Sequence, residues 1–226
     1  MRRGAGSAAL LAVLALAGCS SKTVEDQNKS SLFGSLRQAV SQTVASRRGG
    51  DEAAAAQTPD SPQDIAARAL AANPGPLILA GLESSGATQA MAVIGENNGV
   101  RTFATTNMQA LLLRRGMLTG TKGLGHDLSA AEIRGSEALI RARRAGSATR
   151  TMYFIGGDGL ERPLPVNCQI APGAAAGPGQ RVVESCEGYG VKFQNNYLVT
   201  SGGGIPVSRQ WISPNLGYVT IQILRD

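Results

Sequence analysis

Beyond residue 76 the chain is written in short runs that alternate apolar and polar positions with period two. PLILAGLE, TQAMAVIGE, VRTFATT, QALLLRR and MLTGTKG make a first set, with turn signals at Asn98-Gly99 and Arg115-Gly116. TRTMYFIG and LERPLPVNCQI flank Gly157-Asp158-Gly159, and RVVESCEG, NNYLVT, IPVSRQWI and YVTIQIL follow. Such runs are half-buried strands, and two-residue turns ending in glycine join them as hairpins. Leu164, Val166, Cys168 and Ile170 share one face, as do Val219, Ile221 and Ile223. About ten strands at regular spacing predict a mainly β domain, an antiparallel β-sandwich or barrel.

Helical periodicity is confined to three places. SPQDIAARALAA predicts a short helix from Ser61 or Pro62 to about Ala72, stopped by Asn73-Pro74-Gly75-Pro76. Upstream, Leu32, Phe33, Leu36, Val40 and Val44 fall on one helical face, suited to packing on the domain or to lying on a membrane or partner. Between the two sets of strands, Ser129 and Glu132 have capping-box spacing. They predict a central helical excursion of about 15 residues, which Gly135 weakens.

The N-terminus changes the setting. Arg2 and Arg3 precede an apolar run from about Ala8 to Ala17, which is shorter than the ~20 residues of a membrane span and suits a signal peptide. Leu16-Ala17-Gly18-Cys19 resembles the bacterial lipobox, which predicts lipidation of Cys19 as the first mature residue. Ser20 rather than aspartate follows it, favouring the outer membrane by the same resemblance. The expected organisation is a signal peptide over 1–18, a lipidated tether over 19–60 and a single β-rich periplasmic domain over 61–226. Loss of Arg2 and Arg3 lowers the formal net charge from +6 to +4. That modest excess and the compartment exclude nucleic acid as a partner, but leave polyanions and membrane phosphates.

With Cys19 assigned to lipid, Cys168 and Cys186 remain. An oxidising periplasm and strand-like surroundings predict a disulfide between them, worth roughly 3 kcal/mol on the chain-entropy estimate. A free reactive thiol pair is the other reading. A metal site is not expected, since no CxxC exists and the one histidine, His126, is far away in sequence. No cofactor is implied.

His126-Asp127 is the most conspicuous candidate for catalysis, lying in GMLTGTKGLGHDLSAAE. Adjacent residues rarely form a base and its orienting acid, because the third group must approach the imidazole from across a fold. There is no GxSxG elbow. Asp127, Glu132, Glu184 and Glu187 could supply the paired carboxylates of a glycosidase only if folding brought them together. The simpler reading is a turn built on Gly116, Gly120, Gly123 and Gly125, with Asp127 or Ser129 capping the helix that follows.

Thr121, Gly123, Leu124, Asp127 and Leu128 match a T-x-G-L-x-x-D-L signature, and with the lipobox they resemble the YjbF/GfcB family of outer-membrane lipoproteins. A cysteine pair and a closing N-x-Y … G … S-x-Q-W-x-S-P … G pattern extend the resemblance. They fall on Cys168 and Cys186, then on Asn195 or Asn196, Tyr197, Gly204, Ser208, Gln210, Trp211, Ser213, Pro214 and Gly217. The resemblance covers roughly residues 60–226, and His126 occupies a variable slot in it. It implies genes shared with exopolysaccharide and group 4 capsule systems, and carries over no catalytic residues.

Aromatic residues cluster late in the chain, with Tyr189, Tyr197, Trp211 and Tyr218 on or beside the last strands. Tyr197, Gln210 and Trp211 are therefore candidates for glycan or partner contact, although Trp211 shares a strand face with Ile205 and Val207 and suits a core as well. The expectation is a non-enzymatic accessory of exopolysaccharide or capsule production and secretion. It would be lipid-anchored in the outer membrane and bind other envelope proteins of an export system, polysaccharide, or both. The competing expectation is a periplasmic polysaccharide-modifying enzyme using carboxylate acid–base chemistry.

Overall fold

The computed structural model describes residues 60–226. The expected signal peptide, Cys19 lipidation, tether and the helix through Leu32–Val44 lie outside the described residues.

The alternating runs form one antiparallel sheet of twelve strands. Helix α1, Pro62–Ala72, leads into β1 (Leu77–Leu82), β2 (Ala87–Asn97), β3 (Val100–Ala104), β4 (Ala110–Arg114), β5 (Met117–Lys122) and β6 (Ala130–Glu132). Helix α2, Arg134–Arg141, precedes β7 (Gly146–Ile155), β8 (Glu161–Ala176), β9 (Gly179–Gly188), β10 (Val191–Thr200), β11 (Val207–Ser213) and β12 (Gly217–Arg225). The spatial order is β5-β4-β3-β2-β1-β12-β11-β10-β9-β8-β7-β6. Its two ends approach each other, where the Thr121 N–H donates to the Leu128 carbonyl at 2.8 Å, so the sheet is a nearly closed barrel.

Local chemistry places the turns. Asn98 and Gly99 both have positive φ (50° and 74°), as do Arg115 and Gly116 (49° and 86°), the conformation of a type I′ hairpin turn. At α1, the Ser61 hydroxyl accepts from Asp64 N while the Asp64 carboxylate accepts from Ser61 N, and Pro62 opens the helix. The far end of α1 is held by Arg225, whose guanidinium donates to the carbonyls of Asn73 and Leu70.

The inward faces of the strands form one core. Ile78, Met117, Leu118, Leu128, Met152, Val182, Val199 and Ile212 are all fully buried. The predicted faces hold: Val166, Cys168 and Ile170 point inward, as do Val219 and Ile221. Cys168 and Cys186 lie directly opposite each other on β8 and β9 and are joined by a disulfide inside this core.

The central excursion differs from expectation. Residues 130–132 are strand, and α2 is an eight-residue helix that begins only at Arg134, with Ile133 at its N-cap and no side-chain cap. The Ser129–Glu132 capping box does not form, because both side chains find partners across the sheet. The Ser129 hydroxyl donates to Glu161 at 2.6 Å, and Glu132 accepts from the Tyr153 hydroxyl at 2.8 Å.

Candidate functional site

The loop from Thr121 to Leu128 connects the two ends of the sheet, and the Asp127 carboxylate organises it. It accepts from the Thr121 hydroxyl at 2.7 Å, from Gly123 N at 2.9 Å and from Leu124 N at 3.1 Å. The Thr121 oxygen in turn accepts from Leu128 N at 2.9 Å. Gly123 has φ +77°, and a Cβ there would stand 3.1 Å from the Met108 carbonyl oxygen, so only glycine suits the position. Leu128 is fully buried and Leu124 packs against the core. All five signature positions thus act within one clasp. Asp127 caps its own loop rather than a following helix.

His126 contributes its backbone. The Ser213 hydroxyl donates to the His126 carbonyl at 3.1 Å and accepts from Leu216 N at 3.2 Å. The imidazole is exposed and makes no hydrogen bond among the described residues. Beside the loop lies an open cleft of about 700 Å³ bordered by His126, Asp127, Phe154, Ile155 and Pro214. The carboxylates that might have cooperated are each engaged elsewhere. Glu132 holds Tyr153, Glu187 faces Lys192 at 3.7 Å, and Glu184 is inside the barrel.

The interior holds the feature that sequence reading missed. Arg150, Glu184, Asn195 and Gln210 are wholly buried and Tyr197 nearly so. Arg150 Nη1 meets Glu184 Oε2 at 3.1 Å, and that same oxygen accepts from Asn195 Nδ2 at 2.8 Å and from the Tyr197 hydroxyl at 2.9 Å. Arg150 Nη2 donates to the Leu118 carbonyl at 3.0 Å, while Leu118 N donates to Gln210 Oε1 at 2.8 Å. Gln210 Nε2 donates to the Gly116 carbonyl at 2.9 Å.

These polar groups have a physical reason to be there. Strand β5 is an end of the sheet, and buried backbone groups without partners cost free energy. Arg150 and Gln210 supply what a neighbouring strand would have supplied to Leu118. A second gap is filled in the same manner. The β10–β11 ladder runs from Leu198↔Val207 only to Asn196↔Arg209; past it, Trp211 N donates to Asn195 Oδ1 at 2.7 Å and Gln194 N to the Tyr218 hydroxyl at 3.1 Å.

Burial disfavours the Tyr197 phenolate, and the Glu184 charge adds to this, so the hydroxyl is held well above its ordinary pKa despite Arg150. The Arg150 guanidinium stays charged: burial works against it, but the Glu184 carboxylate beside it raises its pKa. A signal for this network was present in the sequence. Period two puts Arg150 on the face of Met152, and Glu184 between Val182 and Cys186, so two opposite charges were written into inward registers.

The proposed surface contacts Tyr197, Gln210 and Trp211 are interior, and they offer no exposed platform in this structure. Trp211 is 6% exposed and stacks on Phe193 with ring centroids 4.4 Å apart and planes 5° apart, with Phe154 edge-on at 6.3 Å. It stays in one unbroken ladder with Val207 and Arg209, paired with Tyr218, and the register shifts only past it, between Trp211 and Ser213. Cys168, Cys186 and Glu184 have the mutual spacing of metal ligands, but the two sulfurs are bonded to each other and are not thiolates.

The family model described as group 4 capsule polysaccharide lipoprotein gfcB, YjbF matches residues 35–224. The chain belongs to this family. The matched residues include the whole clasp, as well as Gln210 at the sheet end and Ser213 beside the clasp. No curated protein matches the chain in sequence. Among solved structures, the hypothetical lipoprotein YmcC of Escherichia coli (K12) aligns with a TM-score of 0.61 at 16% identity, over 72% of this chain and 89% of that one. That likeness is one of fold. Among the described residues of this YjbF-family chain, no helix is long and apolar enough to cross a membrane.

Proposed function

We propose that the protein is a lipoprotein anchored to the outer membrane through Cys19, with residues 61–226 as a periplasmic domain. It serves as a non-catalytic accessory in producing or secreting an exopolysaccharide or capsule, by binding partner proteins, glycan, or both. The observation that carries this reading is the family match over residues 35–224. The engagement of Asp127 in three hydrogen bonds to its own loop supports the non-catalytic part, because a general acid or base needs a face open to substrate.

The test is deletion of the gene, with secreted polysaccharide quantified and its chain length and substituents analysed. Complementation uses the wild-type protein and Asp127→Asn at matched abundance. The accessory role predicts lower output of chemically unchanged glycan, restored by both. An altered glycan that Asp127→Asn fails to restore would favour an enzyme.

A further inference from the structure

One end of the barrel carries a concentration of positive charge that nothing above uses. Around α2, Arg114, Arg115, Arg134, Arg141 and Arg143 line a groove of about 610 Å³ that holds a single acidic side chain, Glu137. Glu137 is itself largely buried and already engaged, 3.0 Å from Arg114 and 3.8 Å from Arg115. Arg114 also donates to the Asn98 carbonyl, and Arg143 to that of Ser201. Arg134 and Arg141 are left with no carboxylate or carbonyl partner among the described residues. Like charges gathered on one wall repel one another and gain from an anion that bridges them.

We infer that this groove binds an acidic polysaccharide, with Arg134 and Arg141 taking successive negatively charged groups along the chain. The inference rests on the polysaccharide reading above. Arg134 and Arg141 are two turns apart on one face of α2, a separation of about 10 Å along the axis. The two arginines thus offer positive charge at two points along the groove, an arrangement that suits a chain carrying repeated negative groups. A second depression of about 650 Å³ adjoins the groove through the shared Arg115, Arg141 and Gly202; its two carboxylates, Glu96 and Asp226, are both paired with Arg101, so the anion site is confined to the first groove. Guanidinium groups add specificity for planar anions, because each can donate two parallel hydrogen bonds to one carboxylate. The wall opposite α2 is the turn Ser201–Gly203, where glycine is required. Gly203 has φ +76°, and a Cβ would stand 3.0 Å from the Arg141 carbonyl oxygen.

The experiment uses the full lipidated chain in non-ionic detergent, with fluorescently end-labelled oligogalacturonate as probe. Neutral dextran and phosphatidylglycerol vesicles are the comparators. The expected result is saturable binding of oligogalacturonate but not dextran, weakening as salt rises. Arg134→Gln/Arg141→Gln should bind about tenfold more weakly or worse, and Arg134→Lys/Arg141→Lys should retain part of the affinity. Arg162→Gln, which removes an exposed arginine paired with Asp158, should bind as wild type. Unchanged circular dichroism and an intact disulfide would show that the variants fold.

The inference is overturned if wild-type protein binds no oligogalacturonate, or if the double glutamine variant binds it unchanged. It is equally overturned if those substitutions abolish binding to anionic vesicles alone. Cells separate this inference from the reading beneath it. If deletion lowers polysaccharide output and the double glutamine variant restores it fully, the groove inference falls and the accessory role stands. If the variant loses binding in vitro but deletion leaves polysaccharide untouched, the groove's chemistry stands and the accessory role falls.

Discussion

Arg150 and Glu184 face each other across 3.1 Å with no exposure to solvent on either side chain. A charge pair in such a place is not a source of stability in itself, because both ions lose hydration that their attraction barely offsets. Its value lies in what else the two groups hold, namely the Leu118 carbonyl, Asn195 and Tyr197. Removing one partner strands the other charge. Glu184→Leu or Arg150→Met alone should therefore cost about 3–5 kcal/mol. The double variant should cost less than the sum of the two. Urea unfolding of all four proteins completes the cycle, and strict additivity would show that the pair is not coupled.

The clasp around Asp127 should behave as a structural element. Asp127→Ala removes all the acceptors offered to Thr121, Gly123 and Leu124 and should destabilise the domain by about 1–3 kcal/mol. Asp127→Asn, which keeps one acceptor oxygen, should fall between it and wild type. His126→Ala leaves the backbone carbonyl that Ser213 uses and should be within about 0.5 kcal/mol of wild type. Thermal unfolding with polysaccharide output measured in the same strains checks the ranking.

Alkaline titration should report on Tyr197. Its folded pKa is raised above the ordinary value near 10 by burial and by Glu184. The unfolded chain releases this proton first as pH rises. The Tyr197 contribution is thus intact below about pH 10 and is lost as pH climbs toward the raised value. One tyrosine should accordingly stay protonated until the barrel opens, visible as a lag in phenolate absorbance that Tyr197→Phe removes. Titration of every tyrosine before any loss of tertiary signal would contradict the buried network.

The one tryptophan gives a direct measure of the interior. Trp211, stacked on Phe193 at 4.4 Å, should emit in the blue, resist acrylamide and not respond to added glycan. Unfolding should shift the emission to the red as the indole meets water. Quenching at the rate of a free indole in the native protein would place Trp211 outside the core.

The cystine should matter in proportion to its loop. Cys168→Ala/Cys186→Ala opens a crosslink of 18 residues separation and should cost roughly 3 kcal/mol. With both sulfurs buried, dithiothreitol should reduce the folded protein slowly and the urea-unfolded protein at once. Thiol labelling over time distinguishes the two.

Period two and glycine-containing turns make the strands and hairpins legible in the sequence, because each depends on residues close in the chain, and the oxidising compartment with two strand-borne cysteines makes the disulfide legible. The helix starting at Ser129 was misread because a capping box is a local preference. Glu161 and Tyr153, which satisfy Ser129 and Glu132 instead, are brought alongside only by β7 and β8. Tyr197, Gln210 and Trp211 were likewise ambiguous. Whether an aromatic at a strand position meets solvent or a core depends on what packs over it, and Phe154 and Phe193, which cover Trp211, come from β7 and β10. The arginine groove draws on α2, on the β4–β5 turn and on the loop after β10, so only the fold brings it into being.

The strand order carries a consequence for how the domain comes together. Ten of the eleven ladders join strands adjacent in sequence, and only β1–β12, from Leu77↔Arg225 to Leu82↔Val219, spans nearly the whole described chain. The entropy of long-range closure is therefore concentrated in one event rather than shared among many. Within each meander, β1–β5 and β6–β12, every pairing is between neighbours in the chain, so these pairings should form ahead of β1–β12. Cys168 and Cys186 lie within a single hairpin of the second meander, so oxidation need not await that step. An oxidised but undocked intermediate should accumulate whenever β1 is prevented from reaching β12.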